Sequence, residues 1–199
     1  MPKTGKVKKG YAISIENVAP FLWYRVGISD KSELGIRVGL PIYGSGVDYS
    51  RVLYEKKNKW DMLNLAWSLN PNYNLDATYY KFKTKKTDTD FLKSRWLGFR
   101  MMSIQKGITG GTSNRFGFLY GIQSSPRWGM EFGYFHDSSS IPITDIFSSK
   151  WDPFSSENHD RYSKKPTRDE SSGLPSEFSR MTGLSFSLFF DLDAPKKKK

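Results

Sequence analysis

The run Glu33–Pro41, ELGIRVGLP, alternates strictly. Leu34, Ile36, Val38 and Leu40 are apolar, while Glu33, Gly35, Arg37 and Gly39 between them are charged or lack a side chain. A period of two makes this a strand with one greasy and one polar face. The same alternation recurs in Tyr11–Glu16, Phe21–Ile28, Val47–Tyr54, Asp61–Leu69, Tyr73–Phe82, Arg95–Met102, Arg115–Ile122, Arg127–Phe135 and Thr182–Leu192. Turn and loop signals separate these runs: SDKS (Ser29–Ser32), KKNK (Lys56–Lys59), NPN (Asn70–Asn72), the polar KTKKTDTD (Lys83–Asp90), GITGGTSN (Gly107–Asn114) and SSP (Ser124–Pro126). No stretch of comparable length has helical periodicity. The pattern predicts about ten strands in a meander or barrel, with eight as the main rival if the short connection at Val18–Pro20 is misread.

The direction of the polar faces decides the class. They hold Glu16, Arg25, Glu33, Arg37, Asp48, Asn64, Asp76, Arg100 and Glu131, with many Gly and Ser. The other faces are Leu, Ile, Val and aromatics, with Arg51 and Arg95 as exceptions. A soluble sandwich would turn its polar faces to water and fill them with Lys and Thr. Here Lys falls mostly in loops, and both signs of charge mix with glycine on the strands. A narrow interior needs that mixture, because an unpaired charge there costs several kcal/mol. Tyr11, Tyr73, Tyr79, Trp128 and Tyr134 lie near strand ends on the apolar faces, where a bilayer places its aromatic girdles. A closed barrel also pairs every backbone group, as hydrocarbon requires. The expected fold is therefore all-β, an up-and-down antiparallel transmembrane β-barrel. Arg37 should look inward and Leu34, Ile36 and Val38 outward. Glu16, Arg25, Arg37, Asp48, Asp76, Arg100 and Glu131 form the expected interior charge network, and the interior is expected to be filled or at most a narrow pore.

Composition narrows the chemistry. The 199 residues suffice for one barrel domain, read as 11–192 with a long loop at 139–179, between basic tails at 1–10 and 193–199. The net charge of +11 owes much to Lys3, Lys6, Lys8 and Lys9 and to Lys196–Lys199. Without these tails the 31 basic residues come close to the 20 acidic ones. Cysteine is absent, which excludes disulfides and thiolate metal sites. Two histidines, His136 and His159, exclude a site of three histidines, and no cofactor or metal is implied. MPKTGKVKKG has positive charge but no apolar segment behind it, so no export signal is read in this chain. Nucleic-acid binding is the alternative class: TYYKFKTKK (Thr78–Lys86) interleaves aromatics with cations. The nearly balanced core and the missing RNP motif argue against it.

The stretch FLWYRVGISDKSELGIRVGLPIYGSGVDYSRVLY, Phe21 to Tyr54, resembles a pattern of bacterial outer-membrane barrel proteins. In them a strand ending Arg/Tyr–x–Gly, a tight polar turn and an acid–Leu–Gly–x–Arg–x–Gly–Leu strand precede a strand of Gly–x–Asp–x–Lys/Arg–Tyr type. The resemblance implies an outer-membrane location, contact with membrane lipids and a structural or interaction role. Such barrels often end on an aromatic residue, whereas here Phe190 is followed by DLDAPKKKK. GYFHDSSS (Gly133–Ser140) also resembles the His–x–Ser signature of lipid A deacylases. By that resemblance His136 would be the base, Ser138 the nucleophile, and Glu157, Glu170 or Glu177 the orienting acid, Glu177 being the one adopted, with lipopolysaccharide as substrate. The family usually has Asn where Ser139 stands, and its acid comes sooner. The plainer reading makes these rim residues that hydrogen-bond water, so the sequence leaves enzyme activity open. Segment 139–179, rich in Ser, Pro and charge, is expected to be a loop that meets a protein partner or covers the barrel mouth.

Overall fold

The computed structural model describes residues 4–14, 20–39, 45–69, 73–86, 92–105, 113–137 and 183–193. Ten strands follow one another: β1 (Val7–Ser14), β2 (Phe21–Ser29), β3 (Ser32–Gly39), β4 (Ser45–Lys56), β5 (Lys59–Leu69), β6 (Tyr73–Lys86), β7 (Leu92–Gln105), β8 (Ser113–Gln123), β9 (Trp128–Asp137) and β10 (Gly183–Asp191). Each pairs antiparallel with the next, and β1 pairs with β10 through Gly10–Asp191 to Ser14–Ser187. The fold is an all-β, up-and-down, closed ten-stranded barrel, and the eight-stranded alternative is set aside. Strand ends joined by 30–31, 57–58, 87–91 and 124–127 share one end of the barrel with the start of β1 and the end of β10. We call this the terminus end. The opposite loop end carries the connections 15–20, 40–44, 70–72, 106–112 and 138–182.

Three boundaries at the terminus end differ from the sequence reading. β1 starts at Val7, inside the segment read as a tail. The chain just before it is also anchored, since the Gly5 amide donates to the Gly27 carbonyl at 2.8 Å and Thr4 Oγ1 donates to Asp30 Oδ1 at 3.0 Å. Lys83–Lys86, the first four residues of KTKKTDTD, are strand rather than loop. β6 runs on to Lys86, matched to β7 through Lys83–Arg95, Thr84–Ser94 and Lys85–Lys93. With polar residues on both faces, alternation was invisible there. KKNK contracts to the two-residue turn Lys57–Asn58, with Lys57 in the left-handed region at φ 51°. Two-residue hairpin turns demand positive φ, because that backbone twist matches the twist of the flanking strands.

The faces are inverted relative to a soluble barrel. Ile36 is 53% exposed and Phe118 64%, and Leu22, Leu65, Leu97 and Met101 are also exposed. Glu33 and Asp48 are 3% and 4% exposed, and Ser50 and Thr78 are fully buried. Outward rings pack side by side on directly paired positions. Tyr11 stacks on Phe190 with centroids 4.5 Å apart, Phe132 meets Phe186 at 5.0 Å, and Phe99 meets Phe118 at 5.3 Å.

The interior is not simply polar. Phe82, Trp96, Phe135 and Phe189 point inward with the charges, a content the sequence reading underweighted. Space for them comes from glycines on the adjacent strand. Trp23 lies across Gly10, Tyr80 across Gly98, Trp96 across Gly121, Phe135 across Gly117 and Phe189 across Gly129. Each of these rings stands directly opposite its glycine in the strand register. A Cβ on Gly121 would fall within the indole of Trp96, and that ring is hemmed in by Phe82 and Phe189. Gly121→Val is therefore expected to destabilise the barrel by about 1–3 kcal/mol, the usual cost of overpacking, as read by urea unfolding.

Candidate functional site

The barrel interior is the candidate site, and its side chains come from successive strands at inward positions. Arg25 on β2 reaches two carboxylates. Its guanidinium contacts Glu33 Oε1 at 2.5 Å and Asp48 Oδ2 at 2.9 Å. Glu33 and Asp48 come from β3 and β4, so one arginine ties three strands. Asn64 on β5 extends the cluster by donating to Asp48 Oδ2 at 2.9 Å and to Ser50 Oγ at 2.8 Å. Gly35 stands opposite Asp48 in the register and leaves room for that carboxylate.

A second cluster forms on β6, β7 and β9. Arg100 Nε donates to Thr78 Oγ1 and its Nη2 to Tyr80 Oη, both at 2.9 Å. The same guanidinium lies 3.7 Å from Glu131 Oε1 and 5.8 Å from the centroid of the Phe135 ring. Glu131 accepts a 2.7 Å hydrogen bond from the Trp96 indole. Arg37 lies between the clusters, in the field of Asp48 and Asp76 on one side of the charge balance and of Arg100 and Arg25 on the other. Its Nε and Nη2 are buried without a hydrogen-bond partner among the described residues.

Six of the seven residues expected in the interior network are thus within the barrel wall at inward positions: Arg25, Arg37, Asp48, Asp76, Arg100 and Glu131. The seventh, Glu16, lies outside the described residues. Glu33, grouped with the polar faces by alternation, proves to be the shortest partner of Arg25. The hydroxyls of Thr78 and Tyr80 and the indole of Trp96 were not foreseen as members. Strand parity alone carried that signal, since each shares a face with Asp76, Arg100 or Glu131 once the register is known.

Toward the terminus end a run of rings lines the inner wall. Trp60 and Phe82 stack with centroids 3.8 Å apart and an interplanar angle of 2°. Phe82 lies 5.5 Å from Trp96, and Trp96 lies 5.7 Å from Phe189, the last pair meeting over the glycines of β8 and β9. This arc runs from β5 to β10. Beside it, Arg25 and Arg100 neutralise carboxylates up to two strands away, which ties the wall together.

The hydrolase residues are not brought together within the described part. β9 carries the backbone of His136 opposite Phe116, two positions past Tyr134. The His136 side chain lies outside the described residues, as do Ser138, Glu157, Glu170 and Glu177. Among the described residues no group of His, Asp or Glu could hold a metal ion.

No protein family, no curated protein and no solved structure matches the chain.

Removing the Arg25 guanidinium would strand two buried carboxylates. Arg25→Met is expected to cost about 3–5 kcal/mol, in line with breaking a buried pair from one side. Combining it with Glu33→Gln and Asp48→Asn should restore part of that loss, because no buried charge is then left uncompensated. Equilibrium unfolding of the single and triple variants checks both statements.

Proposed function

We propose that this chain is a bacterial outer-membrane β-barrel protein with a plugged interior and a structural or interaction role. One observation carries the reading: the charges and amides of the wall meet one another inside, while large apolar side chains stand exposed around the outside. In water such an exterior would far exceed the apolar patches that soluble monomers tolerate. In a bilayer it is the required surface, and a closed barrel leaves no unpaired strand edge in hydrocarbon.

The two ends support an orientation. Short connections and both ends of the strand series occupy the terminus end, whereas the longest connection, 138–182, leaves from the loop end. Outer-membrane barrels have short periplasmic turns and longer external loops, which puts 138–182 outside the cell, where it would meet a partner. The role is not that of an open pore. The ring arc of Trp60, Phe82, Trp96 and Phe189 and the ion-paired Arg25 and Arg100 on the inner wall support a plugged interior.

Two measurements test this reading. Unboiled protein refolded in detergent should migrate differently from boiled protein on a denaturing gel, and folding should require detergent or lipid. A monodisperse folded protein in plain buffer would overturn the membrane reading. In planar bilayers the inserted protein should give no stepwise conductance, and regular channel steps would overturn the plugged interior.

A further inference from the structure

Four cations stand side by side on the outer face of the terminus end. Lys56 on β4 is opposite Lys59 on β5, Lys59 is opposite Lys83 on β6, and Lys83 is opposite Arg95 on β7. All four are exposed. Neighbouring strands lie about 4.8 Å apart, so the row packs four positive charges into roughly 15 Å. Like charges directly opposite one another destabilise a sheet. Among the described residues no carboxylate pairs with any of the four. The next row toward the barrel middle holds Asp61 beside Lys81, but Asp61 already accepts a 2.7 Å hydrogen bond from the Tyr79 hydroxyl. The row beyond adds Lys85 opposite Lys93.

The row is held stiffly. On the inner face, one residue along each strand, Trp60, Phe82 and Trp96 form the ring arc behind Lys59, Lys83 and Arg95. Its height is also defined. Four residues toward the loop end on the same outer face lies the apolar row Leu63, Tyr79, Phe99 and Phe118. At about 3.4 Å per residue the cations sit roughly 14 Å along the strands from that row. A bilayer that covers the apolar row brings its headgroups to the cations.

We propose that the row Lys56–Lys59–Lys83–Arg95 binds the phosphates of anionic phospholipid headgroups and fixes the depth of the barrel in the membrane. The inference rests on the membrane reading above. A clustered polyanion resolves the repulsion within the row, and anionic headgroups attract cations held at the membrane surface. Arg95, an interruption of the apolar faces in the sequence, thereby acquires a role.

The test compares the full chain with the variant Lys56→Gln, Lys59→Gln, Lys83→Gln, Arg95→Gln in vesicles of phosphatidylcholine alone and of phosphatidylcholine with phosphatidylglycerol. Urea unfolding rates of the inserted protein should be at least about five-fold slower with phosphatidylglycerol. The difference should vanish in the variant and shrink at high salt. Replacing Lys196–Lys199 by Gln removes equal charge elsewhere and should leave it intact. Inserted native protein that unfolds equally fast in both vesicles would overturn the row while leaving the barrel reading standing. Failure to insert into either vesicle would overturn both. Row-dependent binding of a single-stranded oligonucleotide, with no phosphatidylglycerol effect, would replace the lipid by nucleic acid. Should the quadruple variant fail to insert, Lys83→Gln with Arg95→Gln is the substitute, and an undiminished lipid effect in it would also overturn the proposal.

Discussion

A wall whose outer surface is apolar must satisfy its own backbone, and this constraint governs the rest of the molecule. An open edge would leave a row of amides and carbonyls facing either hydrocarbon or a neighbouring chain. The contact of β1 with β10 removes that edge. It is the shortest of the strand pairings by described register, running from Gly10 to Ser14, and side chains reinforce it from both surfaces. Tyr11 stacks on Phe190 outside, while Ala12 lies opposite Phe189 inside. Beyond the strands, the Lys9 amide donates to Asp193 Oδ2 at 2.7 Å and the Leu192 amide to the Lys9 carbonyl at 3.0 Å.

Closure then sets the interior problem. Ten strands enclose too little space for a large side chain at every inward position and too much for glycine at all of them. The molecule alternates the two across neighbouring strands. Where one strand presents Trp96, the next presents Gly121; where one presents Phe189, the next presents Gly129. The same rule admits charge, since Gly35 faces Asp48. Placing ring and carboxylate over glycine lets Arg25 and Arg100 reach across strands to their acids. Low dielectric makes these contacts strong and makes their loss costly, so the interior network adds register information to the wall as well as stability.

Much of this was legible in the sequence because period two survives wherever the two faces differ in polarity. Glu33–Pro41 and Asp61–Leu69 show it plainly, and six of the interior charges followed from parity. Legibility failed where both faces carry the same kind of residue. From Lys83 to Lys86 both faces are polar, so strand looked like loop. At Phe21–Tyr24 and Phe189–Phe190 both faces carry aromatics, so inward rings were absorbed into an apolar impression. Alternation also gives no cross-strand register. Glycine opposite a ring is a register property, and it emerges only when Gly121 is known to face Trp96 rather than Arg95.

The terminus end shows why register there cannot be left loose. Lys59, Lys83 and Arg95 are the outward neighbours in sequence of Trp60, Phe82 and Trp96, which point inward. Slipping any one of these strands by one residue would drive its cation into the ring arc and expose its aromatic at the rim, because a single step exchanges the faces of a strand. β4 meets this requirement by a bulge between Val52 and Tyr54. The extra residue switches the parity of β4, so that Glu55 stands opposite Trp60 and Lys56 opposite Lys59. Two residues later the chain turns through Lys57 at positive φ, a conformation uncommon for a lysine but required by a two-residue hairpin turn. Bulge, turn, ring arc and cation row are therefore one device, in which the inner stacking of Trp60 on Phe82 holds like charges together on the outside against their own repulsion.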